Sequence, residues 1–576
     1  MNWDLSKLYK GFDDEAFLKD IGALEGTYAR LLAETEKLDG PENLAALLKG
    51  VADAVTTEIR LSLFVQLTLA AEATNESALA LAERLMVFGN GRHRVMSAAS
   101  SFMKDKDADE YAARDPFLSA HKYMLVLLKR EAAHVIDPAL EETVLKMRMT
   151  GANAFAQLRD QIDAGHVIDL DGEKHPLSAI RGMAYSPDAD LRRRAYEAEM
   201  AAYPAIETPM AACLNAVKGE ALTLLPLRHY RDALDTALDL SRIDRATLDA
   251  LLSAMRESLP AFRRFFRAKA KKLGYEGGLK FHDLFAPVGA SAKEYTLDEA
   301  RALLNEVFSR VSPKMAAFIE NAFEDRWIDA FPRQGKVGGA FCAGAHMLKT
   351  SYVLANFDGS LSSVSTLAHE LGHAYHNDRV KHLPILMTDY PMPLAETASI
   401  FNETLLVNKL LENADADTRV TLLDQQLTDA AQVIVDILSR FLFEAEVFKR
   451  RADHMLTPRE LCEIMTGAQK ETYADGLDEA AMHPYMWACK PHYYSPDLHF
   501  YNFPYAFGLL FGLGVYALYL ERGEAFLADY DQLLTATSAG DVRDVAASVG
   551  IDVTDVEFWR GSVKVLTDRI DEFEMG

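Results

Sequence analysis

Residues 369–376 read His-Glu-Leu-Gly-His-Ala-Tyr-His, inside the run VSTLAHELGHAYH. On a helix, His369 and His373 stand one turn apart and project from one face. Two imidazoles so placed can share one zinc ion at roughly 2.0–2.1 Å. Glu370 lies beside them, where a carboxylate can take a proton from an activated water. The pattern therefore points to metal-assisted hydrolysis. A catalytic zinc needs a third protein ligand and keeps one position open for water or substrate. The next candidate acids downstream are Asp378, Asp389, Glu396 and Glu403. Glu396 and Glu403 are seven residues apart in LAETASIFNETLLVNKLLE (394–412), whose apolar spacing is helical, so they share a face two turns apart. One can bind the metal while the other supports a ligand histidine.

These residues need elements to hold them. Val364, Leu367, Ala368, Leu371, Ala374 and Tyr375 form an apolar face at helical spacing, which predicts a packed helix through the motif. Upstream, SYVLANF (351–357) reads as a strand. Asp358-Gly359 is a turn signal, and Ser362 or Ser363 is the expected helix cap. Gly372 costs about 1 kcal/mol against alanine inside a helix, and close packing beneath the metal would account for it. Pro384, Pro391 and Pro393 suit a loop joining two helices. His376 and His382 read as packing or surface histidines rather than ligands.

At these residues the chain resembles a known family. TLAHELGHAYH followed by AETASIFNE is similar to the M3 zinc metallopeptidases, and more to their oligoendopeptidase F branch than to thimet oligopeptidase. NWDLSKLY, FHDLFAP (281–287), GGAFCAG (338–344), SYVLANFDG (351–359) and KPHYYSPDLHFYNFPYAFG (490–508) resemble segments of that branch in the expected order, so the likeness covers nearly the whole chain. The resemblance implies one zinc per chain held by His369, His373 and Glu396, with Glu370 as general base and Glu403 behind a ligand. It also implies that a histidine and tyrosines of the 490–508 region contact substrate and transition state. PHYY points to His492, with Tyr501 and Tyr505 following and His499 as the rival histidine. Tyr494 is expected as a further substrate contact. The implied fold is a large, mostly α, zincin-type enzyme with a small sheet beside the active-site helix.

Composition agrees with a large enzyme. The chain has 576 residues, enough for a substantial core and for more than one ordinary domain. Its 61 basic and 86 acidic residues give a formal charge of −25, which disfavours nucleic acid and anionic lipid as partners. Four scattered cysteines form no C-x-x-C pair, so free thiols are expected rather than a zinc knuckle or a disulfide framework. MNWDLSKLYKGFDDEAF lacks a basic region followed by an apolar one, so no secretory signal is read there and the cytoplasm is the expected location.

The remaining pattern is mainly helical: 13–36, 42–59, 60–88, 92–104, 139–163, 185–223 and 243–273. HVIDLDGEKHPL (166–177) alternates around Asp171-Gly172 and predicts a hairpin. A boundary after it, near residue 180, would separate a helical channel-wall domain (1–180) from the catalytic domain (181–576). FPYAFGLLFGLGVYALYL (503–520) carries no charge and approaches membrane-span length, but its proline, glycines and tyrosines favour a buried core helix. RRFFRAKAKK (263–272) reads as a solvated basic helix face.

Substrate handling has its own candidates. The glycines of GGAFCAG let a substrate backbone approach closely, which singles out Gly339 and Ala340. The strand containing Tyr352 can pair with substrate by β-augmentation. Short peptides are therefore the expected partners. Three readings stand: an endopeptidase of short unfolded peptides, an exopeptidase with the same zinc chemistry, and a peptide-binding protein with structural zinc. An intact Glu370 beside the metal argues against the third.

Overall fold

The structure is a computed structural model and describes residues 1–289 and 293–576. The chain divides into two compact units, each assembled from three segments. The first holds Met1–Val135, Lys293–Lys409 and Leu518–Gly550; the second holds the rest. The division does not follow one cut near residue 180: the hairpin expected to end a domain lies inside the second unit.

The first unit begins with helices Glu15–Leu24, Thr27–Thr35, Pro41–Ala71 and Glu76–Met103. The sequence reading broke this stretch at residue 59; instead one helix runs through to Ala71, with Leu61, Leu63, Phe64, Val65 and Leu67 buried along it. The break in 13–36 falls at Gly26, whose φ of 74° is readily reached only without a Cβ. These helices bury Leu44, Leu48, Val51 and Val65 in one core with Tyr352 and Leu354.

Tyr352 and Leu354 belong to the sheet that precedes the motif. Counting strands in chain order, β1 (Val167–Leu170) and β2 (Glu173–Pro176) form the predicted hairpin in the second unit. Its turn has positive φ at Asp171 and Gly172, as a tight two-residue hairpin turn requires. β3 (Ile328–Asp329), β4 (Phe341–Ala345) and β5 (Thr350–Leu354) make the sheet of the first unit, in the order β3-β5-β4. β5 pairs parallel to β3 and antiparallel to β4, with Phe341 opposite Leu354 and Ala345 opposite Thr350. The N-terminus is tied to this sheet. The Trp3 ring stands edge-on to Tyr352 at 6.2 Å, and the Tyr352 hydroxyl donates to the Asp4 carbonyl at 3.1 Å.

The second unit is helical apart from the hairpin. The uncharged stretch forms helix Phe503–Arg522 and is buried from Phe503 to Pro504 and again from Ala506 through Gly508. Its close approach is at Gly514, where a Cβ would stand 2.5 Å from Phe558 and 2.6 Å from Ser562 of helix Val556–Met575. Phe507 meets Trp559 edge-on at 4.9 Å across the same contact. The basic stretch 263–272 keeps a solvent-facing side, with Arg267 and Lys271 exposed, but it is not solvated throughout. It ends helix Arg245–Lys272, and Lys269 is buried with its ammonium 2.9 Å from Asp424. Arg264 pairs with Asp571 and Glu574, and Arg267 with Asp475. All four cysteines are free thiols.

Candidate metal centre

The motif lies on helix Leu361–Val380. Its N-cap is Ser360, whose hydroxyl accepts from the Ser363 amide at 3.1 Å; the cap falls two residues before the earliest serine expected from the sequence. The apolar face is buried as its spacing predicts, with Val364, Leu367, Ala368 and Leu371 all 1% exposed or less. Far-end residues lock the helix. The Tyr375 hydroxyl donates to Asp531 at 2.6 Å, and His376 is fully buried, stacked on Tyr390 and bonded to the Thr537 hydroxyl at 2.8 Å. His376 is therefore a packing residue.

Glu396 and Glu403 are carried by the next helical segment. Met392–Ala395 forms one short turn, Glu396 caps it, and helix Thr397–Asn413 follows. Gly372 is where the two helices meet. A Cβ there would lie 2.6 Å from both the Ala398 carbonyl oxygen and the Ser399 Cα. Only a residue without a side chain lets the acid-bearing helix come this near the histidines.

That approach brings His369, His373 and Glu396 together, with one ligand atom from each within 4.8 Å of the others. Glu396 Oε2 is 3.3 Å from His369 Nε2 and 3.4 Å from His373 Nε2. Ligands about 2.1 Å from a tetrahedral centre stand about 3.4 Å apart, so both separations suit a shared ion. Nitrogen, nitrogen and carboxylate oxygen are also the donor set of hydrolytic zinc sites. Glu403 Oε2 lies 3.2 Å from His369 Nδ1, on the side of the ring away from Glu396. Sequence reasoning missed Ser399, whose hydroxyl donates to Glu396 Oε2 at 2.7 Å. A hydroxyl three residues after a ligand acid was its only sequence signal.

Burial alone would lower the pKa of His369, but Glu396 and Glu403 outweigh it and hold it up at about 10. Burial takes His373 down to about 4. Burial works to raise the Glu396 carboxyl, yet the two histidines and Ser399 bring it to about 2. Glu370 is different. It is 6% exposed, its Oε2 has no hydrogen-bond partner among the described residues, and burial pushes it up to about 7. A carboxylate with an open oxygen beside a metal cluster is equipped to accept a proton.

The other substrate candidates are distributed differently. Gly339 is exposed at φ 79°, with its carbonyl accepting from Asn356 Nδ2 at 2.8 Å, and Ala340 leads into β4. Tyr352 is 1% exposed and bonded to the N-terminus, so its side chain holds the sheet together. β5, the strand expected to receive substrate, pairs with β4 along its length and with β3 only at Val353 and Leu354; β3 and β4 are the outer strands. In the second unit, Asn502 Nδ2 donates to His492 Nε2 at 2.8 Å, and the Tyr501 and Tyr505 hydroxyls are 2.6 Å apart. His492 and Tyr501 rings lie 6.1 Å apart, so these residues form one cluster. Burial, then Arg440, brings His492 down to about 2, which keeps it neutral. Tyr494 and His499 are 1% and 7% exposed. His499 packs edge-on to Phe448 and stands 3.5 Å from the Lys218 ammonium, so both side chains sit in the core of their unit.

Fold and site together define a metallopeptidase. The chain belongs to peptidase family M3, whose profile matches residues 182–564, and it is a metalloendopeptidase of that family. It is 24% identical to oligopeptidase PepF of Bacillus subtilis over 79% of this chain and 69% of that one. It is 26% identical to group B oligopeptidase PepB of Streptococcus agalactiae over 82% and 79%. Among solved structures, oligoendopeptidase F from Enterococcus faecium superposes with a TM-score of 0.71 at 18% identity, covering 97% and 98% of the two chains. A chain from Chlamydophila abortus gives 0.87 at 22% identity, covering 100% and 98%.

Proposed function

We propose that the protein is a zinc-dependent oligoendopeptidase that cuts internal bonds of short, unstructured peptides in the cytoplasm. The observation that carries the reading is Glu370, a buried carboxyl with an open oxygen, next to a His-His-Glu cluster spaced for a tetrahedral ion. His369, His373 and Glu396 would hold one zinc. When bound, it supplies Lewis acidity toward a water and the scissile carbonyl.

The residues do the rest. Glu370 accepts the proton of the attacking water and returns it to the leaving amine, so one carboxyl serves both halves of the hydrolysis. Glu403 fixes the His369 ring from behind, and Ser399 fixes the Glu396 carboxylate. β4, rather than β5, offers backbone groups to an extended substrate, with Gly339 and Ala340 at its start. Backbone pairing reads shape more than side chains, so broad sequence tolerance follows. On residue chemistry and family resemblance, His492 and Tyr505 are assigned to the developing oxyanion, with Tyr501 holding Tyr505 by its hydroxyl.

Two measurements test this. Glu370→Gln should keep about one zinc per chain while turnover falls by at least a hundredfold, the scale of general-base loss; near-wild-type turnover would sink the mechanism. Mass spectrometry of terminally blocked peptides should show internal cuts that a chelator stops. Trimming of free-ended peptides alone would move the protein to the exopeptidases.

A further inference from the structure

The second unit contains a cavity whose lining includes none of the metal-centre residues, nor His492 or Tyr505; Arg440 on its wall donates to Asn502, the partner of His492. It has a lobe of about 260 Å³ and an adjoining one of about 40 Å³. Arg181, Phe281, Phe285, Gln432 and Lys490 line both lobes. The larger volume is near the lower edge of ordinary ligand sites, which run from about 300 to 1,000 Å³, so a small ligand fits. The wall is aromatic. Phe285 stacks on Tyr185 at 4.8 Å, and Tyr185 is 61% exposed and marks the rim. Gln432 begins a π-helical turn, Gln432–Asp436, a rare irregularity that often accompanies ligand sites.

The charges decide what kind of ligand suits it. Three arginines line the lobes, and each has its own carboxylate. Arg181 pairs with Glu199 at 2.7 Å, Arg192 with Asp283 at 2.6 Å, and Arg440 with Asp436. His483 is buried, and burial lowers its pKa below the ordinary histidine value. Lys490 differs: among the described residues its ammonium has no hydrogen bond and no ion pair. Burial, then the Arg440 charge, holds its pKa below the ordinary lysine value. A half-buried ammonium without a counter-ion is costly, and an anion entering the cavity would relieve that cost.

We propose that this cavity is a binding site for a small monocarboxylate with an aromatic or aliphatic body, its carboxylate on Lys490 and its body against Phe281 and Phe285. Such chemistry is carried by the C-terminal residue of a peptide and by a free aryl or alkyl acid. One uncompensated cation calls for one negative charge, which disfavours phosphate esters and dicarboxylates. Phe281 and Phe285 offer an organic body a contact that a bare inorganic anion cannot make.

The test uses the full chain and three probes: N-acetylphenylalanine, its neutral amide, and 3-phenylpropionate. Calorimetric titration is run on the metal-loaded protein and again after chelation. The acids should bind at least tenfold more tightly than the amide, with the same affinity after chelation. Preference for the acetylated amino acid would assign the site to peptide ends, and equal binding to free organic acids. Lys490→Met should lose at least tenfold in affinity, and Lys490→Arg should recover it. Phe285→Ala, at the partly exposed wall, should weaken binding while leaving the melting temperature close to wild type, so the test survives a poorly folded Lys490→Met. Equal affinity for acid and amide, binding lost on chelation, or unchanged binding in both Lys490→Met and Phe285→Ala would each overturn the proposal.

Discussion

Each residue of the centre constrains the next. His369 carries two carboxylates, one on each ring nitrogen: Glu396 at 3.3 Å and Glu403 at 3.2 Å. A ligand histidine bonded through its second nitrogen keeps one tautomer and one orientation, and outer partners of this kind are worth about 10–100-fold in metal affinity or activity. Glu403→Gln keeps the side-chain length but replaces the charged acceptor. Metal affinity, measured by competition with a chromophoric chelator, should fall by about 10-fold or more. Glu396→Gln removes a ligand oxygen and should cost far more. If Glu403→Gln lost more metal affinity than Glu396→Gln, Glu403 rather than Glu396 would have the stronger claim to be the ligand. The sequence left this choice open between two acids on one face; distance separates them, because Glu396 alone approaches both histidines.

At the scale of elements, Gly372 sets the geometry. The motif helix and Thr397–Asn413 are pressed together until no Cβ fits between Gly372 and Ala398–Ser399. Gly372→Ala must push the second helix outward, and Glu396 and Glu403 move with it. Overpacking of this kind costs about 1–3 kcal/mol. The melting temperature should drop, and metal affinity should drop with it. Gly467 provides the control: it lies inside helix Pro458–Tyr473 with nothing within 4 Å of a new Cβ, so Gly467→Ala should be neutral or stabilising by up to about 1 kcal/mol. Unchanged melting and metal binding in Gly372→Ala would show that the helices have slack. Gly372 was legible in the sequence because a glycine in a packed helix needs a reason. The hairpin was legible for the same kind of reason, Asp171-Gly172 being turn chemistry. What was not legible depended on partners distant in the chain. SYVLANF reads as a strand, but whether it lies at an edge depends on Ile328–Asp329 and Phe341–Ala345. RRFFRAKAKK reads as a wholly solvated face until Asp424 arrives from elsewhere to pair with the buried Lys269. The run 42–88 was divided at the wrong place because apolar periodicity continues through residue 59, and only the loop after Ala71 ends it.

For the whole molecule, a formal charge of −25 shapes its response to pH. Acid removes that charge, but it also reaches buried groups whose protonation differs between folded and unfolded chains. Glu199 is the clearest case. Burial opposes its ionisation, yet His483, Arg181 and Tyr203 bring it down to about 2 from an ordinary 4.5. The unfolded chain therefore binds this proton first. The stability Glu199 contributes is present above about pH 4.5 and is lost as pH falls toward 2, on the order of 3 kcal/mol at the limit. His483 acts with the same sign. Burial lowers its pKa, so the unfolded chain takes up a proton from about pH 6.5 downward while the folded chain resists. Denaturant unfolding followed between pH 7 and pH 3 should thus show stability falling throughout. Glu199→Gln should be less stable than wild type at pH 7, because it leaves Arg181 without its carboxylate. The two proteins should converge as pH drops below 4. Parallel curves across the whole range would mean that Glu199 titrates alike in folded and unfolded chains, and that the ion pair at 2.7 Å contributes nothing to acid resistance.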